Sequence, residues 1–179
     1  MVTLDQGIRL HSGTMFDYSN PAASDVTIED IAHALSHICR FAGHIDHFYS
    51  VAQHAVNCSF IVPPEHAFTA LCHDTAEAFT NDIPTPLKFA VPMFKELEVR
   101  IESAMAARFG FTYPLPDTVK TADLQMLQLE KNELKSTEGD WEVLAGIESD
   151  HLRPFVDLSS WAPEHAKFEF LDRFKELCP

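Results

Sequence analysis

The stretch Leu71-Cys72-His73-Asp74-Thr75-Ala76-Glu77-Ala78 places three ionisable side chains in a run of otherwise small or apolar residues. The surrounding segment, Pro64 to Phe79, predicts a helix. Pro64 suits the first helical position, and Ala67, Ala70, Leu71, Ala76 and Ala78 fit a packed face. A helix turns about 100° per residue, which puts His73 and Glu77 one turn apart with Asp74 beside them. Three ionisable groups then share one sector of a mostly buried helix, and burying them without partners is costly. A divalent metal ion accepts both imidazole and carboxylate and would satisfy the set. A capping or salt-bridging set at a helix surface is the other reading of the same residues.

Two more segments supply candidates of the same kind. Ser50 with Gln53 is a capping-box signature for a helix running to Val62, and His54 falls on its inner part among Val51, Ala55 and Cys58. Asp117 can cap a long helix through Leu134, and Asp123 lies on it beside Leu124. Taken singly, His54 reads as a hydrogen-bonded core histidine. Asp123 reads as a solvated aspartate that favours the helix dipole.

Taken together, Val51-Ala52-Gln53-His54, His73-Asp74-Thr75-Ala76-Glu77 and Lys120-Thr121-Ala122-Asp123 resemble the HD-domain metal-dependent phosphohydrolases. That family has the order His … His-Asp … Asp on separate helices. The stretch Asn81-Asp82-Ile83-Pro84-Thr85-Pro86-Leu87-Lys88 is similar to that of the bacterial 5′-deoxynucleotidase branch. So is the Arg40-Phe41 pair, although relatives there often carry arginine followed by tryptophan. The resemblance spans about residues 28 to 135. Only 19 positions separate His54 from His73, so a tight Pro63-Pro64 turn joins their helices, unlike in longer members. The length and the arm before the first helix resemble phage and prophage versions, some of which are similar to deoxynucleoside triphosphate hydrolases.

The resemblance implies that His54, His73, Asp74 and Asp123 hold one divalent transition metal (manganese, cobalt, iron, nickel or zinc). A second divalent ion entering with the substrate phosphate is compatible with it. Glu77, one turn after His73, is assigned as the acid/base for the attacking water, or else as a hydrogen-bond partner that orients a ligand. Asp82 lies in the site by resemblance, orienting the water or holding a sugar hydroxyl. Arg40, Lys88 and Lys120 are the cations expected at phosphate. Phe41 offers a surface for base or sugar, or packs in the core. His44 and His47 are placed at the entrance.

The elements that position these residues read as all-α, a compact HD-domain bundle of about six or seven helices behind a short non-helical or strand-like N-terminal arm. Thr27 with Asp30 starts a helix of about 12 residues through Ile38. Thr80 to Lys88 reads as a loop, because prolines two apart exclude a regular helix. Pro92 opens a helix with Phe94, Leu97, Ile101, Met105 and Phe109 as its stripe and Gly110 beyond its end. Glu138-Gly139 marks a break, residues 140 to 161 have no clear period, and Ala162 to Leu177 closes the chain as an amphipathic helix. The expected organisation is one domain over 1–179. It comprises an arm (1–25), a metal-binding helical core (26–136) and a C-terminal helical extension (137–179).

Thirteen basic against 27 acidic residues give a net charge of −14, which disfavours nucleic acid and anionic membranes as partners. A site for a phosphorylated small molecule must therefore gather its own cations. No apolar run reaches the roughly 20 residues of a membrane helix, and Met1 to Arg9 lacks the pattern of a signal peptide. Cys39, Cys58, Cys72 and Cys178 show no C-x-x-C spacing and read as reduced thiols of a cytoplasmic protein, host cytoplasm if phage-encoded. The expected function is a phosphohydrolase that cleaves the 5′ phosphoester of deoxynucleotides (dNMP to deoxynucleoside plus phosphate) through a metal-activated water. Two alternatives stand beside it. One is a deoxynucleoside triphosphate triphosphohydrolase, dATPase-like, that releases triphosphate. The other is a non-catalytic helical module that binds metal or nucleotide. Relatives form homo-oligomers, so the resemblance implies one here.

Overall fold

The first two α-helices start where the sequence supplies side-chain caps. In the computed structural model, which describes residues 7–135 and 139–178, Thr27 and Asp30 form a reciprocal capping box at the start of α1 (Ile28–His37). Asp30 also accepts from the Ser12 backbone N–H at 2.7 Å, which ties the N-terminal arm to this helix. The arm is a two-stranded antiparallel hairpin, β1 (Gly7–Arg9) and β2 (Met15–Asp17). Gly7 is required at its position, since a Cβ there would sit 2.1 Å from the Phe16 carbonyl oxygen. Phe16 is fully buried and stacks on Phe79 with ring centroids 3.8 Å apart. The first six residues of the expected arm lie outside the described residues, as does Glu138 of the expected break.

The helix that carries His54 is the centre of the molecule. In α2 (Val51–Phe60) every residue from Val51 to Ser59 is buried, and the helix packs against α1 and against three later helices. These are α3 (Ala67–Cys72), α7 (Asp117–Leu134) and α8 (Pro163–Leu177). The Ser50 side chain accepts from the Gln53 N–H at 3.2 Å, as a cap should. Gln53 does not return the bond. Its Nε2 instead donates to the Asp157 and Ser159 carbonyls at 3.0 and 2.7 Å. Asn57 exchanges bonds with the Asp157 backbone in the same region. Residues 140–161, which have no period, thus form short 3-10 turns at Glu142–Leu144 and Asp150–Phe155 stitched to α2. In α8, Ala166 and Phe170 are fully buried in the core shared with α1 and α2.

Three expectations need correction. The predicted helix from Pro64 to Phe79 is divided into a 3-10 turn, α3, tight turns over residues 73–76, and α4 (Glu77–Thr80). The bonds Thr75 N–H to Cys72, Glu77 N–H to Asp74 and Phe79 N–H to Ala76 all span three residues. The imidazole of His73 contacts the Ala70 carbonyl at 2.7 Å and takes the acceptor that the next helical turn would use. With three residues per turn, Asp74 and Glu77, rather than His73 and Glu77, come to share a side. The second correction is α5 (Thr85–Ala90), within a stretch read as loop. Pro84 precedes this helix and Pro86 lies in its first turn, where a missing N–H costs nothing. Then follow α6 (Pro92–Phe109), closed by Gly110 at φ +82°, and α7, where the expected Asp117 cap is the third correction: Pro116 is the N-cap, and Asp117 is the first helical residue, its side chain paired with Lys120. The all-α class holds, with eight α-helices among the described residues. None of the described helices is long and apolar enough to cross a membrane.

Candidate active site

Three segments bring their polar groups to one point. His54 Nε2 from α2 lies 3.1 Å from Asp123 Oδ1 on α7 and 3.7 Å from Asp74 Oδ2. His73 Nε2, just past α3, lies 3.2 Å from Asp74 Oδ2 and 3.8 Å from Asp123 Oδ1. Both imidazoles have their tautomer fixed from behind. The Nδ1 of His73 faces a carbonyl, which can only accept, so Nδ1 carries the hydrogen. The Nδ1 of His54 lies 2.6 Å from Glu130 Oε1 and likewise donates. With a metal ion in place of a second proton, each ring would offer an Nε2 lone pair inward, the arrangement in which histidines bind metals. His73 Nε2 is buried and makes no aligned hydrogen bond, its nearest polar neighbour being Asp74 Oδ2 at 3.2 Å. A cation between these groups would satisfy both. Burial alone would depress the pKa of both imidazoles, yet the surrounding acidic groups outweigh it and hold both well above the usual histidine range. The site therefore draws positive charge, and a metal ion would compete with protons for it. The donor set suits a divalent transition metal.

Beside this point opens a cavity of about 750 Å3, within the range of small-molecule sites. Asp74, Glu77, Asp82 and Asp123 line it, with Arg40, Lys88 and Lys135 as cations. Phe41, Leu127, Trp141 and Val143 give it an apolar side. Glu77 is buried, with Oε2 unpartnered. Burial, reinforced by Asp74 and Asp82, pushes its pKa well above the ordinary carboxylate range despite the pull of Arg40 and Lys88. Asp82 is raised as well, again chiefly by burial. Lys88 reaches Glu98 at 2.6 Å and Glu77 at 3.9 Å. His44 lines the cavity, whereas His47 bonds the Leu158 carbonyl at 3.1 Å and does not.

Arg40 is more constrained than an entrance cation would be. It is buried, and its Nε and Nη2 donate to Glu130 Oε2 at 3.1 and 2.8 Å. Only Nη1 remains towards the cavity, 3.8 Å from Asp82. The chain then passes Phe41 and Ala42 at φ +56° and +52°, left-handed conformations that cost about 1–3 kcal/mol each for side chains of this type. The bond from Arg40 N–H to the Tyr49 carbonyl and the Cys39–Ser50 bridge hold this turn in place. Phe41 is presented between Arg40 and Lys135, whose charges lie 5.4 and 5.2 Å from its ring centre.

Lys120 is not brought to the site. Its side chain is 57 % exposed and pairs with Asp117 at 3.0 Å, outside the described cavity lining. Three residues before Asp123 is close to the same face, but the long stem turns back towards the start of the helix. Four residues were missed. Glu130 lies seven positions after Asp123, and Cys58 four after His54, both on the faces already marked as functional. Lys135 and Trp141 come from the end of α7 and beyond it, and no local pattern marks them.

Two histidines and two aspartates converging from separate segments of an all-α bundle define the HD-type class. The comparisons agree and are more specific. The family described as 5′-deoxynucleotidase YfbR-like matches residues 27–145. The uncharacterized protein YfdR of Escherichia coli (strain K12) is 45 % identical over 171 residues, covering 95 % of this chain and 94 % of that one. The 5′-deoxynucleotidase PM0747 of Pasteurella multocida is 31 % identical over 90 residues, covering 49 % of this chain and 38 % of that one. The chain belongs to the YfbR-like 5′-deoxynucleotidase family of the HD-domain superfamily.

Proposed function

We propose that this protein is a divalent-metal-dependent 5′-nucleotidase that converts a deoxynucleoside monophosphate to deoxynucleoside and phosphate. The observation that carries this is the convergence of His54, His73, Asp74 and Asp123 on one point at the wall of a nucleotide-sized cavity. These four residues would hold the ion, and two carboxylates match its charge. When bound, it polarises a phosphoryl oxygen and lowers the pKa of a water. Glu77 would take the proton of the attacking water and pass it to the departing 5′ oxygen. Its Oε2 has no protein partner, which leaves it available to that proton. Asp82 orients the water or a sugar hydroxyl. Arg40 Nη1, Lys88 and Lys135 hold phosphate oxygens, and Phe41 with Trp141 flanks the sugar or base.

A panel of dNMPs, NMPs and dNTPs, with products separated by chromatography, tests the reading. Free phosphate from dNMPs is expected, with kcat/KM about tenfold or more above the matching NMP, the scale of a single steric exclusion. Triphosphate released from dNTPs would replace the reaction with the triphosphohydrolase one. Equal rates on dAMP and AMP would remove the sugar preference alone. Among the cations, Lys135→Ala is expected to raise KM about tenfold through loss of one charge-assisted contact. Lys120→Ala, outside the cavity, should leave KM within about twofold by the same kinetics. The reading also carries a cytoplasmic homo-oligomer. Phe89 and Met93, 81 % and 79 % exposed where α5 meets α6, favour such an assembly, which sedimentation velocity checks.

A further inference from the structure

Cys58 stands one helical turn after His54 on α2, and its Sγ lies 3.4 Å from His54 Nε2. One ligand atom from each of His54, Cys58, His73 and Asp123 falls in a group whose members all lie within 4.8 Å of one another. Asp74 and Asp123 line the cavity, but Cys58 does not. It is buried in the apolar cluster with Tyr49, Ala70, Val119 and Met126. The thiol thus approaches the centre from the protein interior, while Asp74 approaches it from the cavity. The buried His73 Nε2, which makes no aligned hydrogen bond, serves either side.

We propose that Cys58 gives this centre a second ligand set, His54, Cys58, His73 and Asp123, which captures thiophilic divalent ions such as zinc and cadmium. The set containing Asp74 holds harder ions such as manganese. The inference rests on the reading of these residues as a metal centre and adds to it a choice between ions. Thiolate favours zinc and cadmium, and carboxylate oxygen favours manganese. On capture the S–H bond breaks, a sulfur–metal bond forms and the proton leaves to solvent, with no change of oxidation state. One thiolate and one carboxylate then balance the dication, as two carboxylates do in the other set. Four protein ligands around zinc form a closed tetrahedral site with no position left for a substrate oxygen. Zinc loading therefore silences the enzyme, and manganese loading leaves it open to substrate.

The test uses the full chain, stripped with chelator and reloaded with a single ion. X-ray absorption on the zinc-loaded protein is expected to show one sulfur neighbour at about 2.3 Å. The manganese-loaded protein should show only nitrogen and oxygen. Cobalt loading should give a thiolate-to-cobalt charge-transfer band that Cys58→Ser and Cys58→Ala both lose while still binding cobalt. In chelator competition, either variant should lose about tenfold or more in zinc affinity and change manganese affinity far less. Stoichiometric ion binding with no sulfur neighbour and no charge-transfer band overturns the role of Cys58 and leaves the metal centre standing. Failure of the unmodified chain to bind zinc, cobalt or manganese at all overturns both. The absorption spectra come from the unmodified chain, so a folding defect in a variant cannot imitate the negative result.

Discussion

Glu77→Gln is expected to lower kcat by about 10² or more, to leave metal content near wild type, and to raise the thermal stability of the chelator-stripped protein. The kinetic loss follows from removing a general base that has no protein partner on Oε2. The stability gain follows from burial. The folded protein holds the proton of Glu77 well above the ordinary glutamate value of 4.5, because the site is desolvated and Asp74 and Asp82 repel a further negative charge. The folded state therefore binds more protons than the unfolded state as pH rises past that value, and stability falls with pH across the window up to the raised pKa. Glutamine has the same shape and no charge, so the penalty disappears at neutral pH. Below the ordinary value both states of the wild type are protonated, and the two proteins should melt alike. Melting curves at about pH 4 and about pH 7.5, with metal analysis and kcat, check all parts. Unchanged kcat would return Glu77 to a structural role.

The second large effect is expected at Glu130, which touches no cavity. Burial pushes this carboxyl up, but Arg40 and His54 outweigh it and hold the group below its ordinary range and ionised. Its contribution to stability is present above the ordinary value of 4.5 and is lost as pH falls below that. Glu130→Gln leaves Arg40 buried with Asp82 at 3.8 Å as its remaining ion-pair partner, and should cost about 3–5 kcal/mol in urea unfolding. It also weakens the acceptor that fixes the His54 tautomer, so metal affinity should fall about 10- to 100-fold. A double variant, Arg40→Met with Glu130→Leu, separates these roles. Removing both charges should recover much of the stability, while metal affinity stays low because His54 Nδ1–H has no acceptor. Recovery of both together would show that Glu130 acts on stability alone.

The convergence of His54, His73, Asp74 and Asp123 was legible because their order along the chain resembles that of the HD-domain family, whereas taken singly His54 reads as a core histidine and Asp123 as a solvated aspartate. Glu130 and Cys58 follow from the same periodicity, seven residues after Asp123 and four after His54, but a lone glutamate or thiol on a helix carries no chemical signature by itself. The break after Cys72 was hidden for a different reason. Composition favours a continuous helix, and only the His73 ring taking the Ala70 carbonyl tightens it. That tightening moves Glu77 beside Asp74, whose charge adds to burial in raising the Glu77 pKa, so a local competition for one acceptor bears directly on the chemistry. Lys135 and Trp141 reach the cavity through the packing of α7 and the chain beyond it, which no local pattern encodes. The Thr85–Ala90 helix was masked by prolines, although the first turn is where a helix tolerates them.

The most direct measurement of the central claim is phosphate release from a dNMP by chelator-stripped protein as manganese is titrated back. The account predicts no release from the stripped protein and activity rising until about one ion is bound per chain, the number expected for a single set of four ligands. Release that is indifferent to chelation, or no release from any dNMP once the ion is bound, would contradict it.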